Sequence, residues 1–227
     1  MAMTDSPRTQ RRPRRPLLTR EAVLEAAARV MERDGHAGLT MRAIADDLKV
    51  QAPALYWYVA SKEELEVLLY DHLMEGFSIT VTGDDWREHI RQAAQQLRQH
   101  MRSKRDIAML VPRDYAMGPN ALTQLEGALG ILLGAGLSAR DAAYAFNMLF
   151  GYIVDWASGE ALWAVRQQQG EPPGAIDAAA LAAIDPNRFP NIAAVGDHFV
   201  AYDPDGRFEF GLECMIAGLE RRVSAGG

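Results

Sequence analysis

A single cysteine, Cys214, gives the chain no second thiol with which to close an internal disulfide, and a reducing compartment is expected. Long hydrophobic runs are missing as well. The most apolar stretch, Gly127 to Leu137, covers about half of the roughly 20 residues that a membrane-crossing helix needs, so no membrane partner is expected. The arginine-rich start gives way only to Leu17 and Leu18 before Thr19, Arg20 and Glu21. That supplies no apolar core for a secretory leader and predicts a cytoplasmic protein. Catalytic hardware is scarce. His36, His72, His89, His100 and His198 show no metal-ligand spacing, no nucleophile motif is found, and the glycines of 127–136 lack the strand and spacing of a phosphate loop. A small-molecule enzyme is therefore the weakest reading, and neither a cofactor nor a metal is expected. No run alternates apolar and polar residues in the manner of a strand, which leaves an all-α fold.

What is present describes a folded chain in two parts. The 48% apolar and 24% charged residues lie near the globular average, and 227 residues suit a small module followed by a larger one. Charge divides the two. Residues 1–62 hold 11 Lys and Arg against 7 Asp and Glu, whereas residues 63–227 hold 13 against 23. A basic front fits a polyanion, because cations near phosphates release condensed counterions. An ordinary solvated tail would carry the same charge.

Residues 1–16, with five arginines among Pro7, Pro13 and Pro16, lack apolar periodicity and read as a disordered basic arm. Behind Thr19 as a cap, Val23, Ala27, Val30 and Met31 mark a first helix over about 20–34, which Gly35 can end. Thr40 caps a second, short helix carrying Met41, Ile44, Ala45 and Leu48 on one face. Three residues later Pro53 opens a third, over 52–59. Ser61 and Glu64 form a capping box ahead of a fourth helix that the pattern carries to Phe77. Asp85 and Glu88 then start a fifth helix reaching about 104, followed by shorter helical stretches over 107–115 and 119–135. Ser138 caps a helix with Ala142, Phe146, Leu149, Ile153 and Trp156 on one face. Residues 167–190, rich in Gln, Pro, Gly and Ala, read as a loop with a helical turn near 178–183, and helices over about 191–201 and 208–223 close the chain.

A helix, a three-residue turn and a second helix is the geometry that seats one helix in the DNA major groove while the other braces on the backbone. With Leu55 and Val59 turned to a small core, Tyr56 and Tyr58 fall on other faces, and exposed aromatics call for a covering partner. Burial of Tyr56 and Trp57 in that core is the competing reading. The run Leu39-Thr40-Met41-Arg42-Ala43-Ile44-Ala45-Asp46-Asp47-Leu48-Lys49-Val50, with Ala52-Pro53-Ala54-Leu55-Tyr56-Trp57-Tyr58-Val59 and Ser61-Lys62, resembles the DNA-binding region of the tetracycline-repressor (TetR) family. Weaker echoes follow at Ser103-Lys104-Arg105-Asp106 and at Phe208-Glu209-Phe210-Gly211-Leu212-Glu213.

The resemblance implies a homodimeric transcriptional repressor that binds a palindromic double-stranded operator and leaves it when a small-molecule effector occupies the carboxy-terminal domain. It puts Arg42 and Gln51 at base edges, Pro53 and Trp57 against thymine methyls, and Thr40, Tyr56, Tyr58 and Lys62 near phosphates or the groove wall. Lys49 stands where the family usually has a glycine. Ala52 and Tyr58 replace polar residues, so no operator sequence carries over. Val111, Ser78 and Ala93 occupy positions at which the family's namesake holds its magnesium–tetracycline chelate, so the resemblance does not extend to that ligand.

Candidate effector contacts are Leu97, Met101, Leu110, Val111, Leu125, Phe146 and Phe150, with Asp114 and Asn147 as polar anchors for a small apolar or amphipathic ligand. Any one of the apolar set taken alone reads more readily as core. For a four-helix dimer interface the candidates are Phe146, Leu149, Ile153, Gly211, Cys214, Met215 and Gly218. The organisation expected is an arm (1–16), a helix-turn-helix unit (17–64) and a ligand-binding and dimerisation domain (65–227). A non-specific architectural DNA binder is the main alternative, although it would need neither a pocket nor an acidic larger domain.

Overall fold

The computed structural model describes residues 18–112, 117–168, 170, 178–201 and 203–226, and among them every regular element is helical. The basic arm expected over 1–16 lies outside them.

α1 (Arg20–Gly38) begins where the Thr19 hydroxyl accepts the Ala22 N–H at 3.1 Å, and it buries Val23, Ala27, Val30 and Met31. It bends at Gly35, whose φ of 73° only a residue without a β-carbon adopts freely. α2 (Met41–Leu48) repeats the device, with Thr40 accepting from the Ala43 N–H at 3.1 Å. Lys49 then closes α2 in the left-handed conformation, φ 56°, where the family pattern has glycine. A 3-10 helix (Ala52–Trp57) follows, and α3 (Lys62–Leu73) starts from the Ser61 cap, with Glu64 reaching back to the Ala60 N–H at 2.6 Å. Val23, Leu39, Ile44, Leu55 and Leu65, all fully buried, form the core of this first unit.

α3 is shorter than its apolar pattern suggested. It stops at Leu73 rather than Phe77, because Gly76 takes a φ of 73° and Phe77 leaves the helix to stack on His100, with ring centroids 4.4 Å apart. The larger unit holds α4 (Trp86–Ser103), a 3-10 turn (Ile107–Leu110), α5 (Pro119–Gly134), α6 (Ala139–Gln168), α7 (Ala178–Ala182), α8 (Pro190–Val200) and α9 (Pro204–Gly226). The helix expected over 107–115 is thus described only as that turn. α6 runs a further three turns beyond Trp156.

Two polar ties position these elements. Arg98 of α4, buried, donates to Glu160 of α6 at 2.6 Å and to Asp205 of α9 at 2.8 Å while lying over the Phe208 ring. Three helices are thereby joined through one guanidinium, whose burial is tolerable because both carboxylates compensate it. At the junction with the first unit, Arg105 donates to the carbonyls of Glu32 and Arg33 at 2.9 and 2.7 Å, and Asp106 accepts the His36 N–H at 2.8 Å. Gly35 is needed here for room as well as for its φ, since a β-carbon would lie 2.8 Å from the Asp106 carboxylate.

Candidate nucleic-acid interface and ligand cavity

Along the 3-10 helix the period-three geometry separates the residues sharply. Leu55 is fully buried, as is Val59 just beyond the helix, whereas Tyr56 is 53% and Trp57 88% exposed. Tyr58 is half-buried against the core. An indole left almost wholly in water loses the transfer free energy of its ring unless something else covers it. Around it the other expected contacts are at the surface: Arg42, reaching toward Asp46 at 4.0 Å, and Gln51 and Pro53, all exposed, with Lys62 half-exposed 3.4 Å from Glu66. Thr40 is exposed too, its hydroxyl oxygen accepting the Ala43 N–H that caps α2. Of the eight expected residues, Thr40, Arg42, Gln51, Pro53, Tyr56 and Trp57 are thus exposed on or beside α2 and the 3-10 helix, while Tyr58 and Lys62 are partly covered. Two ties keep this surface rigid: Arg29 pairs with Asp47 at 2.8 Å, holding α1 to α2, and Arg20 with Glu64 at 2.7 Å, holding α1 to α3.

The larger unit holds two adjoining, partly open apolar cavities of about 50 and 40 Å³, which share Ile79, Leu97, Ala128, Phe146 and Phe150 as walls. Leu97, Leu125, Phe146 and Phe150 are thus brought together as expected contacts. Met101 lines a separate polar cleft between α1 and the α4–α6 pair, Leu110 is core, and Val111 packs half-buried against the core. Asn147 is exposed on α6 and donates to the Ala143 carbonyl, away from both cavities, and Asp114 lies outside the described residues.

Among the described residues the polar side chains at the cavity wall are instead Tyr70 and Gln124, which sequence patterning missed. Tyr70 was overlooked because it follows Leu69 on α3 and so falls off the stripe defined by Leu65 and Leu69. Its pairing with Met74, one turn on, was the available signal. Tyr70 is 4% exposed, and burial, with the Asp71 charge beside it, pushes its hydroxyl up to about 12. The neighbouring Asp71 carboxylate, also buried, accepts the Ala121 N–H at 2.9 Å and the Asn120 amide at 3.1 Å, so α3 caps α5.

Of the expected dimer residues, Leu149 and Ile153 turn inward and are buried within the protomer, and Phe146 faces the cavity. Their i, i+3, i+7 stripe is the one α6 presents to α4 and α5. Gly211 meets Tyr152, whose hydroxyl donates to the Phe208 carbonyl at 2.8 Å, and Met215 packs half-buried on the core. Only Cys214 and Gly218 are left on the open side of α9. Phe210 of α9, 70% exposed, and Tyr144, Met148 and Leu162 of α6 are further apolar side chains left in solvent.

A family model described as tetracyclin repressor-like, C-terminal domain, matches residues 81–223, and one described as bacterial regulatory proteins, tetR family, matches residues 23–66. The chain belongs to the TetR family of bacterial transcriptional regulators. Tetracycline repressor protein class C of Escherichia coli is 31% identical over 211 residues, covering 90% of this chain and 91% of its own. Apo ActR from Streptomyces coelicolor is similar in structure, with a TM-score of 0.79 at 25% identity over 92% of this chain and 98% of that one. ActR in complex with actinorhodin gives 0.77 at 25% identity, over 91% and 98%. These TetR-family relatives are regulators, and the all-α architecture of a helix-turn-helix unit followed by a larger helical unit agrees with them. Among the described residues no cluster of three or more His, Cys, Asp or Glu is placed to hold a metal, and no helix is long and apolar enough to cross a membrane.

Proposed function

We propose that this TetR-family member is a ligand-responsive repressor that binds a palindromic operator as a homodimer and is released by a small apolar effector. The near-complete exposure of Trp57 on a rod braced by α2 carries the DNA-binding part of this reading. Arg42 and Gln51 read base edges, Pro53 and Trp57 contact thymine methyls, and Thr40, Tyr56, Tyr58 and Lys62 hold the backbone. Residues 17–64 form the DNA-binding unit and residues 65–227 the effector and dimer unit, with the basic arm of 1–16 adding phosphate contacts.

The dimer forms through the outward faces of α6 and α9, where Cys214 and Gly218 let helices approach and Phe210, Tyr144 and Met148 supply apolar area. Release follows from the size of the cavities. Each is far smaller than the roughly 150 Å³ that accommodates benzene, so a ligand must part their walls. Those walls include Tyr70 of α3 and Met74 just past its end, α3 being the helix that leads back to the DNA-binding unit. A change in its tilt alters the spacing of the two recognition rods, and about 2.7 kcal/mol of coupling suffices for a hundredfold change in affinity. The complex of a relative with actinorhodin, at a TM-score of 0.77, supports response to a small molecule as such.

The test is footprinting on DNA upstream of the protein's own gene. A protected inverted repeat with two equivalent half-sites about one helical turn apart is expected. Diffuse protection, or a protein that stays monomeric in sedimentation, would overturn the reading.

A further inference from the structure

In the two cavities the polar side chains are confined to one end. Ile79, Leu97, Ala128, Phe146 and Phe150 are shared walls without a polar atom, and among the described lining residues only Tyr70 and Gln124 carry polar side chains. Gln124 is already engaged, its amide nitrogen donating to the Phe77 carbonyl. The Tyr70 hydroxyl finds no hydrogen-bond partner among the described residues, although the residue is more than nine-tenths buried.

We infer that Tyr70 selects the effector, donating its hydroxyl hydrogen to a carbonyl oxygen on an otherwise apolar, uncharged ring compound. This inference rests on the effector reading of the cavity given above and names the chemistry of that site. A donor without a protein partner gains a bond from a ligand that accepts from it, so such a ligand binds more tightly than one that merely fills space. The hydroxyl remains a neutral donor throughout the physiological range, because burial and Asp71 hold its ionisation near 12. Among the described residues no cationic side chain lines either cavity, so carboxylates and phosphates find no counter-charge from them to offset their desolvation. The same hydrogen bond draws on α3 one residue before Asp71, whose carboxylate caps α5. Recognition and the movement of α3 are thus joined in adjacent residues.

The experiment compares 1-tetralone with tetralin, which differ by one carbonyl, in calorimetric titrations of the full chain. The ketone binds the wild type about fivefold tighter, the increment of one net hydrogen bond. In Tyr70→Phe the two affinities come within twofold, with that for tetralin unchanged. In Gln124→Leu the fivefold preference persists. Equal affinities in the wild type, a preference that survives Tyr70→Phe, or one that vanishes in Gln124→Leu overturns the inference while leaving the cavity intact. Ala128→Trp fills the shared wall and abolishes binding of both compounds. If it leaves both unaffected, the effector site lies elsewhere and the parent reading falls with this one. Should Tyr70→Phe unfold by circular dichroism, the wild-type ratio and Gln124→Leu decide alone.

Discussion

The Asp71 carboxylate fills the space that a β-carbon on Gly118 would need, its Cγ lying 2.3 Å from that position. One oxygen takes the Ala121 N–H and the other the Asn120 amide, so the first turn of α5 is capped from α3 rather than from its own leading residue. Asp71→Ala therefore leaves buried donors unpaired and lowers unfolding free energy by about 1–3 kcal/mol. Gly118→Ala lowers it too, by forcing the two helices apart. Urea unfolding curves with unchanged slope measure both. A neutral Gly118→Ala would mean that α5 is not seated on this carboxylate.

Trp57→Ala separates the DNA contact from the fold. Because the ring is almost fully in water, its removal changes stability by no more than about 0.5 kcal/mol, while operator affinity drops by at least about tenfold. Anisotropy with a labelled operator and a thermal melt, taken on the same preparation, test the pair of outcomes. A melt that collapses would place the indole inside the protein.

Lys49 is held at φ 56°, a conformation that costs a residue bearing a β-carbon about 1–2 kcal/mol. Lys49→Gly relieves that cost and spends part of it on added freedom of the unfolded chain, for a net gain of about 0.5–1 kcal/mol. A denaturation midpoint that rises without a change of slope is expected; one that falls would show that the lysine side chain repays its backbone.

His100 gives the pH dependence. Burial against Phe77, with the Lys104 charge nearby, holds its pKa below the usual imidazole value, although its hydrogen bond to the Leu73 carbonyl at 2.9 Å pulls the other way. The unfolded chain thus binds this proton more readily than the folded one. Stability contributed here is complete above the ordinary value of about 6.5 and is lost as pH falls through and below it. Melts at about pH 7.5 and 5.5 should show a larger drop for the wild type than for His100→Phe, which retains the stacked ring. Equal drops would remove His100 from the account.

The helix order was legible from capping residues and 3.6-residue periodicity, because Thr19, Thr40, Ser61 and Asp85 cap in the structure the helices they start in the sequence. Their signals are local. The exposure of Tyr56 was legible for the same reason, since the inward positions of Leu55 and Val59 leave it on another face, but Tyr58, expected outward with it, is half-buried against the core and Trp57 is the ring left most in water. What escaped depends on contacts distant in sequence. Phe77 leaves α3 for a histidine 23 positions later, and Asp71 meets residues about fifty positions away. Leu149 and Ile153 looked equally suited to a partner chain or to the protomer's own interior, because apolar spacing marks a buried face without naming what buries it.

The cramped cavity between Phe146 and Phe150 has a consequence for the noise that such a regulator must tolerate. Since every entrant has to do the same work of prising side chains apart, sparse or badly shaped cellular metabolites never recover that expense. On the proposed reading of this cavity as the effector site, only a compound with enough surface to gain more than the walls resist registers at all. The tight resting interior acts as a threshold, and silence in the absence of the right molecule is built into its packing.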